Sequence, residues 1–241
     1  MRLLEYQAKA LCLQYAIPVP RHLLARSPQQ VRKAAEQLDS EMIVVKAQVP
    51  FDDRARAGGI KVVDTPWEAE DYAQTLFGNR LFSDNTGAMG VPVEAVLVEE
   101  FCPIALELYV SMHIDPTTLQ HVVTVARESE VQIGHSPLDQ PPANRQFRLA
   151  INAGVGIQNF QCQQLCRALK LNVSTSDNLT DLLKSLSDLY YEQTPERVII
   201  RPLAVTQTNQ LLALNASIFL TPRVGPQQFI DTYTISAFSN V

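Results

Sequence analysis

Apolar residues fall at helical spacing at the start of the chain. Leu4, Ala8, Leu11, Cys12 and Tyr15 predict an amphipathic helix over residues 3–16, closed by Pro18 and Pro20. Two later helices carry the same opening signature, a hydroxyl residue followed by proline. Ser27 reads as an N-cap with Pro28 at the first helical position, and Val31, Ala34, Ala35 and Leu38 then line one face. Thr65-Pro66 opens the second, which runs to about Phe77 before Gly78. Between them, Ile43-Val44-Val45 is a β-branched strand ending at Lys46. A loop follows, then the pair Gly58-Gly59 and a second apolar run, Ile60 to Val63. A lysine at a strand end before a hairpin loop suits a lid over a polyphosphate. The loop holds Asp52 and Asp53, however, where a phosphate cradle wants glycines.

The rest of the chain alternates between the two periodicities. Residues 83–92 read as an exposed loop and Val93–Phe101 as a strand. Residues 106–114 and 121–126 read as antiparallel strands joined at Asp115-Pro116. Residues 134–146, rich in proline, form a loop or lid. Helices are predicted over 158–169 and 178–191, the latter with Asp177 as N-cap and Leu179, Leu182, Leu183, Leu186 and Leu189 inward. Val198–Ile200 and 211–214 are strands around the polar turn 207–210. The fold class is α+β, in two lobes: residues 1–20 with 103–241, and residues 21–102 carrying the lid loop 50–59.

Composition narrows the function classes. A net charge of −5 argues against a general nucleic-acid binder, whose footprint is basic. No apolar run approaches the roughly 20 residues of a membrane span, and the N-terminus lacks a signal-peptide core. A cytoplasmic location is the default expectation. Cys162 and Cys166 share a helical face and read as small apolar core residues, since no second Cys or His pair stands at matching spacing. The four histidines form no metal-binding pattern and read as structural or solvent-facing.

Several segments in order resemble the β subunit of succinyl-CoA synthetase (succinate–CoA ligase). They are Leu4-Glu5-Tyr6-Gln7-Ala8-Lys9, Ile17-Pro18-Val19-Pro20, Val44 to Val49, Arg54 to Val63, Leu97-Val98-Glu99-Glu100, Glu107 to Val110, and Pro202-Leu203-Ala204-Val205. The resemblance implies an ATP-grasp fold, in which two α+β lobes hold ATP between them. It also implies a second, flavodoxin-like ligase domain that binds the α subunit, and this sequence stops about where that domain is expected to begin.

Matched residue by residue, the resemblance implies a vestigial nucleotide site. Lys46 matches the lysine that contacts ATP phosphates, Glu99 stands in the hinge around the base and ribose, and Glu107 matches a further nucleotide-site glutamate. Arg54 survives from a Gly-Arg-Gly lid motif, but Asp53 and Ala55 replace its glycines, Asp52 replaces another, and Pro50-Phe51 replaces His-Ala. Arg201 and Asn215 stand where the family has the asparagine and aspartate that hold magnesium, and Glu128-Ser129-Glu130 replaces Glu-Gly-Gly. Magnesium takes hard oxygen ligands, usually carboxylates and phosphates, so a fixed cation and a neutral amide spoil the normal site. Each lid aspartate beside a phosphate oxygen costs up to ~4 kcal/mol at a surface-like dielectric.

These departures lead to the expectation of a catalytically inactive ATP-grasp module that acts as a partner-binding, scaffold or regulatory subunit. No cofactor is expected, though ATP without a normal magnesium site stays open. A protein partner is expected, with the loop 134–146 and the tail 222–241 as candidate contact segments, although for the apolar tail packing back on its own core as a terminal strand is the favoured alternative. Arg201 either fills the cleft by pairing with Asp52 or Asp53, or holds a phosphate by a bidentate contact. The alternative function is the ATP-binding domain of an atypical acyl-CoA ligase, or a metal-independent nucleotide sensor, and it rests on Lys46, Arg54, Glu99 and Glu107.

Overall fold

A computed structural model describes residues 1–84, 86–127 and 146–221. The loop 134–146 (apart from its last residue) and the tail 222–241 lie outside the described residues. The chain divides into two compact units, Pro20–Cys102 and Met1–Val19 with Pro103–Val241.

In the unit Pro20–Cys102, strands β1 (His22–Ala25), β2 (Ile43–Ala47), β3 (Ile60–Val63) and β6 (Val96–Glu100) form an antiparallel sheet in the order β1-β6-β2-β3. Helices α2 (Pro28–Leu38) and α3 (Pro66–Leu76) cover one face. Both helices start as their sequences predict. Ser27 Oγ accepts the Gln30 amide at 3.3 Å and Thr65 Oγ1 accepts the Glu68 amide at 3.1 Å, with proline in the first turn of each. Val31, Ala34, Ala35 and Leu38 meet Ile43, Val45, Ala47, Val96 and Val98 beneath them. The pleat therefore turns Lys46, Leu97 and Glu99 to the opposite face. Within the predicted loop 83–92 the last residues pair instead, β5 (Val91–Pro92) with β4 (Arg80–Leu81).

In the other unit, strands β7 (Leu106–Ile114), β8 (His121–Arg127), β9 (Phe147–Ile151), β10 (Pro195–Val205), β11 (Leu211–Ala213) and β12 (Ala216–Leu220) form an antiparallel sheet. The order is β11-β10-β7-β8-β9, and β12 also pairs with β10. Helices α1 (Glu5–Gln14), α4 (Asn159–Ala168) and α5 (Val173–Gln193) bury one face of it. Leu179, Leu182, Leu183, Leu186 and Leu189 on α5 are all buried there, each burial stabilising by about 1.5–3 kcal/mol. Cys162 and Cys166 lie in the same core.

Three local expectations are corrected. Helix α5 begins five residues before its predicted start: Asn172, not Asp177, is the N-cap, its Oδ1 accepting the Thr175 amide at 2.8 Å. Strands β1, β9 and β12 lacked a sequence signal, because each is short and pairs with a strand far away in the chain. On α1, the helical stripe omitted Glu5 and Lys9, which are buried as an ion pair at 2.9 Å.

Candidate functional site

The two groups of predicted site residues lie in different units. In Pro20–Cys102, adjacent strands bring Lys46 and Glu99 together. Lys46 pairs in register with Leu97 and Val44 with Glu99, so the two long side chains meet diagonally on the face away from the helices. Lys46 Nζ donates to Glu99 Oε1 at 2.7 Å, and both side chains are buried. Gln48, also buried, donates from Nε2 to the Lys46 carbonyl at 3.1 Å.

The lid loop folds onto its own strand. Phe51 enters the core of the unit, and Arg54, only 5% exposed, donates from Nη1 to the Ala47 carbonyl at 3.2 Å. Backbone bonds from Arg54 to Asp52, Ala57 to Asp53 and Gly59 to Arg54 tighten it. Gly58 takes φ +73°, while Gly59 is required by close approach: a Cβ there meets Leu81 Cδ1 at 2.7 Å and the Arg54 carbonyl at 3.2 Å. Asp52 and Asp53 stand half-exposed on this loop.

In the unit Met1–Val19 with Pro103–Val241, Glu107 is half-buried on β7, opposite Ala204 of β10. Arg201 stands where the β10 register shifts, between Ile200 and Leu203, beside a cis peptide to Pro202. Asn215 closes this corner. The Arg201 amide donates to the Asn215 carbonyl at 3.0 Å, and Asn215 Nδ2 donates to the Arg201 carbonyl at 3.1 Å. The Asn215 amide group is thus turned with its nitrogen toward the backbone of β10.

The face of this sheet away from the helices holds polar groups that the sequence reading missed. Ser111 on β7 and Thr124 on β8 face each other in register, both buried, and neither hydroxyl has a hydrogen-bond partner among the described residues. Arg148 of β9 is opposite Thr124 and reaches Asp115 at 2.7 Å. Arg197 of β10 is opposite His113 of β7. Burial, then Arg197 and Arg148, hold the His113 pKa below its usual 6.5, with Asp115 opposing. The available signal was a polar residue at alternate positions in otherwise apolar strands, Ser111 and His113 among Leu108, Val110 and Met112.

The thiols of Cys12, Cys162 and Cys166 lie in the apolar core of their unit. Burial pushes Cys12 up to about 12 and Cys162 up to about 11. Among the described residues no group of three or more His, Cys, Asp or Glu side chains is arranged to hold a metal, and no helix is long and apolar enough to cross a membrane.

Residues 2–205 match the ATP-grasp domain family, and the chain belongs to it. Curated relatives include two proteins named succinate–CoA ligase [ADP-forming] subunit beta. The one from Halorhodospira halophila is 37% identical over 218 residues, covering 90% of this chain and 55% of the relative. The one from Geobacter sulfurreducens is 35% identical, covering 90% and 56%. The chain thus spans little more than half the length of the relatives it matches. Among solved structures, a dinucleotide-forming acetyl-coenzyme A synthetase 1 of Ca. Korarchaeum cryptofilum, in complex with coenzyme A, Ca-AMPCP and HgCl+, superposes with TM-score 0.72 at 18% identity, covering 91% of this chain and 93% of that one. ATP citrate lyase from Methanothrix soehngenii superposes with TM-score 0.64 at 14% identity, covering 100% and 54%. The mixed α/β architecture is the ATP-grasp fold.

Proposed function

We propose that this chain is an ATP-grasp module that has lost metal-dependent phosphoryl transfer and serves as a non-catalytic, partner-binding or regulatory subunit. The observation that carries this reading is the corner formed by Arg201 and Asn215, the positions that the resemblance to succinate–CoA ligase assigns to the magnesium ligands. A guanidinium and an amide whose nitrogen donates to the Arg201 carbonyl do not fit a hard dication, which needs carboxylate or carbonyl oxygens around it. Phosphoryl transfer depends on positioning and on charge neutralisation by the metal, so the chemistry lapses with the site. The lid supports the same reading. Arg54 is turned to the Ala47 carbonyl, and two carboxylates stand on the loop where a triphosphate has to pass. A partner is proposed because the relatives are named as β subunits.

One observation favours the second reading, a nucleotide-binding domain of an atypical acyl-CoA ligase or a metal-independent nucleotide sensor. Lys46 and Glu99 are kept on adjacent strands, facing away from the helices of their unit. Thermal denaturation with millimolar ATP, with and without magnesium, separates the two readings. A ligand at a hundred times its dissociation constant stabilises by about 2.7 kcal/mol. No stabilisation, no ATP turnover and a stoichiometric partner on native purification are the expected results. Stabilisation by ATP alone supports the second reading, and magnesium-dependent turnover sinks the first reading and the metal-independent sensor, leaving the acyl-CoA ligase domain.

A further inference from the structure

On the sheet face of Ser111 and Thr124, the geometry points to a binding subsite for a small oxyanion, phosphate or carboxylate, held by the Ser111 and Thr124 hydroxyls between Arg148 and Arg197. This inference does not rest on the nucleotide reading, since none of these residues belongs to the Lys46–Glu99 pair or the Arg201–Asn215 corner.

The argument begins with two unpaired hydroxyls. Ser111 is 1% exposed and Thr124 0%, they are opposed in register across β7 and β8, and neither oxygen has a hydrogen-bond partner among the described residues. A buried polar group left unpaired costs about 1–3 kcal/mol, so each hydroxyl gains from a bound water or ligand. Their surroundings set its charge. Arg148 is the register partner of Thr124, and Arg197 is the register partner of His113, two positions along β7 from Ser111 on the same face. Both guanidiniums are close enough to His113 to disfavour its protonated form. The groups converging here are thus two cations and two hydroxyls against one carboxylate, Asp115. Guanidinium and hydroxyl donors together select an oxygen-rich anion.

Asp115 already engages one of the two cations. Its carboxylate takes Arg148 at 2.7 Å, on an arginine side chain 36% exposed, while Thr117 and Thr118 donate their amides to its Oδ1. An incoming oxyanion therefore competes with the Asp115 carboxylate for Arg148.

The test is calorimetric titration and thermal denaturation of the full chain with inorganic phosphate, against potassium chloride of equal ionic strength. Stabilisation by phosphate beyond chloride is expected. It is expected to weaken about tenfold or more in affinity in Ser111→Ala/Thr124→Val and in Arg197→Gln, because each removes a hydrogen bond or charge at the anion. Thr124→Val keeps shape and β-branching, so it folds, and its free form is expected to be no less stable than the parent. Equal effects of phosphate and chloride overturn the proposal, as does full phosphate affinity in the double hydroxyl variant.

Discussion

Lys46 Nζ stands 2.7 Å from Glu99 Oε1, and the two side chains, 8% and 2% exposed, face away from the helices of their own unit. A phosphate-binding lysine is useful when its charge is available. Here a carboxylate already meets it, so an arriving phosphate competes with Glu99 for the ammonium. Desolvation makes either unpaired charge expensive.

Lys46→Met removes the ammonium that Glu99 meets at 2.7 Å in a buried site and is expected to cost about 3–5 kcal/mol. The double variant Lys46→Met/Glu99→Leu removes both charges and is expected to recover most of that loss. Urea denaturation of the two variants reads it directly. A single variant within experimental error of wild type sinks the claim that the pair is buried and mutually dependent.

Arg201→Asn with Asn215→Asp restores the oxygen ligands that the resemblance assigns to magnesium. The expected result is nucleotide stabilisation that depends on magnesium, about 2.7 kcal/mol at a hundredfold excess over the dissociation constant. Thermal denaturation with ATP, magnesium and chelator measures it. If the double variant stays indifferent to magnesium, these two positions do not explain the loss of chemistry.

His113 gives a pH dependence with a definite sign. Its folded pKa lies below 6.5, chiefly through burial and then through Arg197 and Arg148. As pH falls, the unfolded chain takes up the proton first, so this contribution is complete above about pH 6.5 and lost as pH falls through the depressed folded value. Wild type is expected to lose stability on acidification more steeply than His113→Gln. Denaturation midpoints across that interval decide it, and parallel curves refute the assignment.

Asn172→Ala is expected to cost about 1 kcal/mol by removing the α5 cap. The loss is expected to be larger than for Asp177→Ala, which leaves that cap in place. Asn172 also donates to Asn209 Oδ1 at 2.8 Å, so a truncation effect on the 206–210 turn accompanies it. Equal losses in the two variants contradict the observed helix start.

Gly59→Ala places a methyl group 2.7 Å from Leu81 Cδ1 and 3.2 Å from the Arg54 carbonyl. A destabilisation of about 1–3 kcal/mol is expected from this overpacking. Amide exchange of residues 50–59 is expected to rise with it, and unchanged exchange counts against the close packing of the loop.

Local chemistry alone determined much of this protein. Ser27-Pro28 and Thr65-Pro66 start helices because a hydroxyl accepts an amide and proline lacks one. The alternation along 106–114 marks a strand because side chains change face at each residue. The ordered motifs from Leu4 to Val205 were enough to indicate the ATP-grasp fold. Tertiary structure decided the rest, because it depends on pairing between distant segments. Glu99 meets Lys46 across 53 positions of chain, Asn209 reaches the α5 start from 37 positions away, and Thr124 faces Ser111 only once β7 and β8 are in register. No local pattern carries those distances, so a lysine already met by a carboxylate, an early helix start and two hydroxyls unpaired among the described residues became visible only in three dimensions.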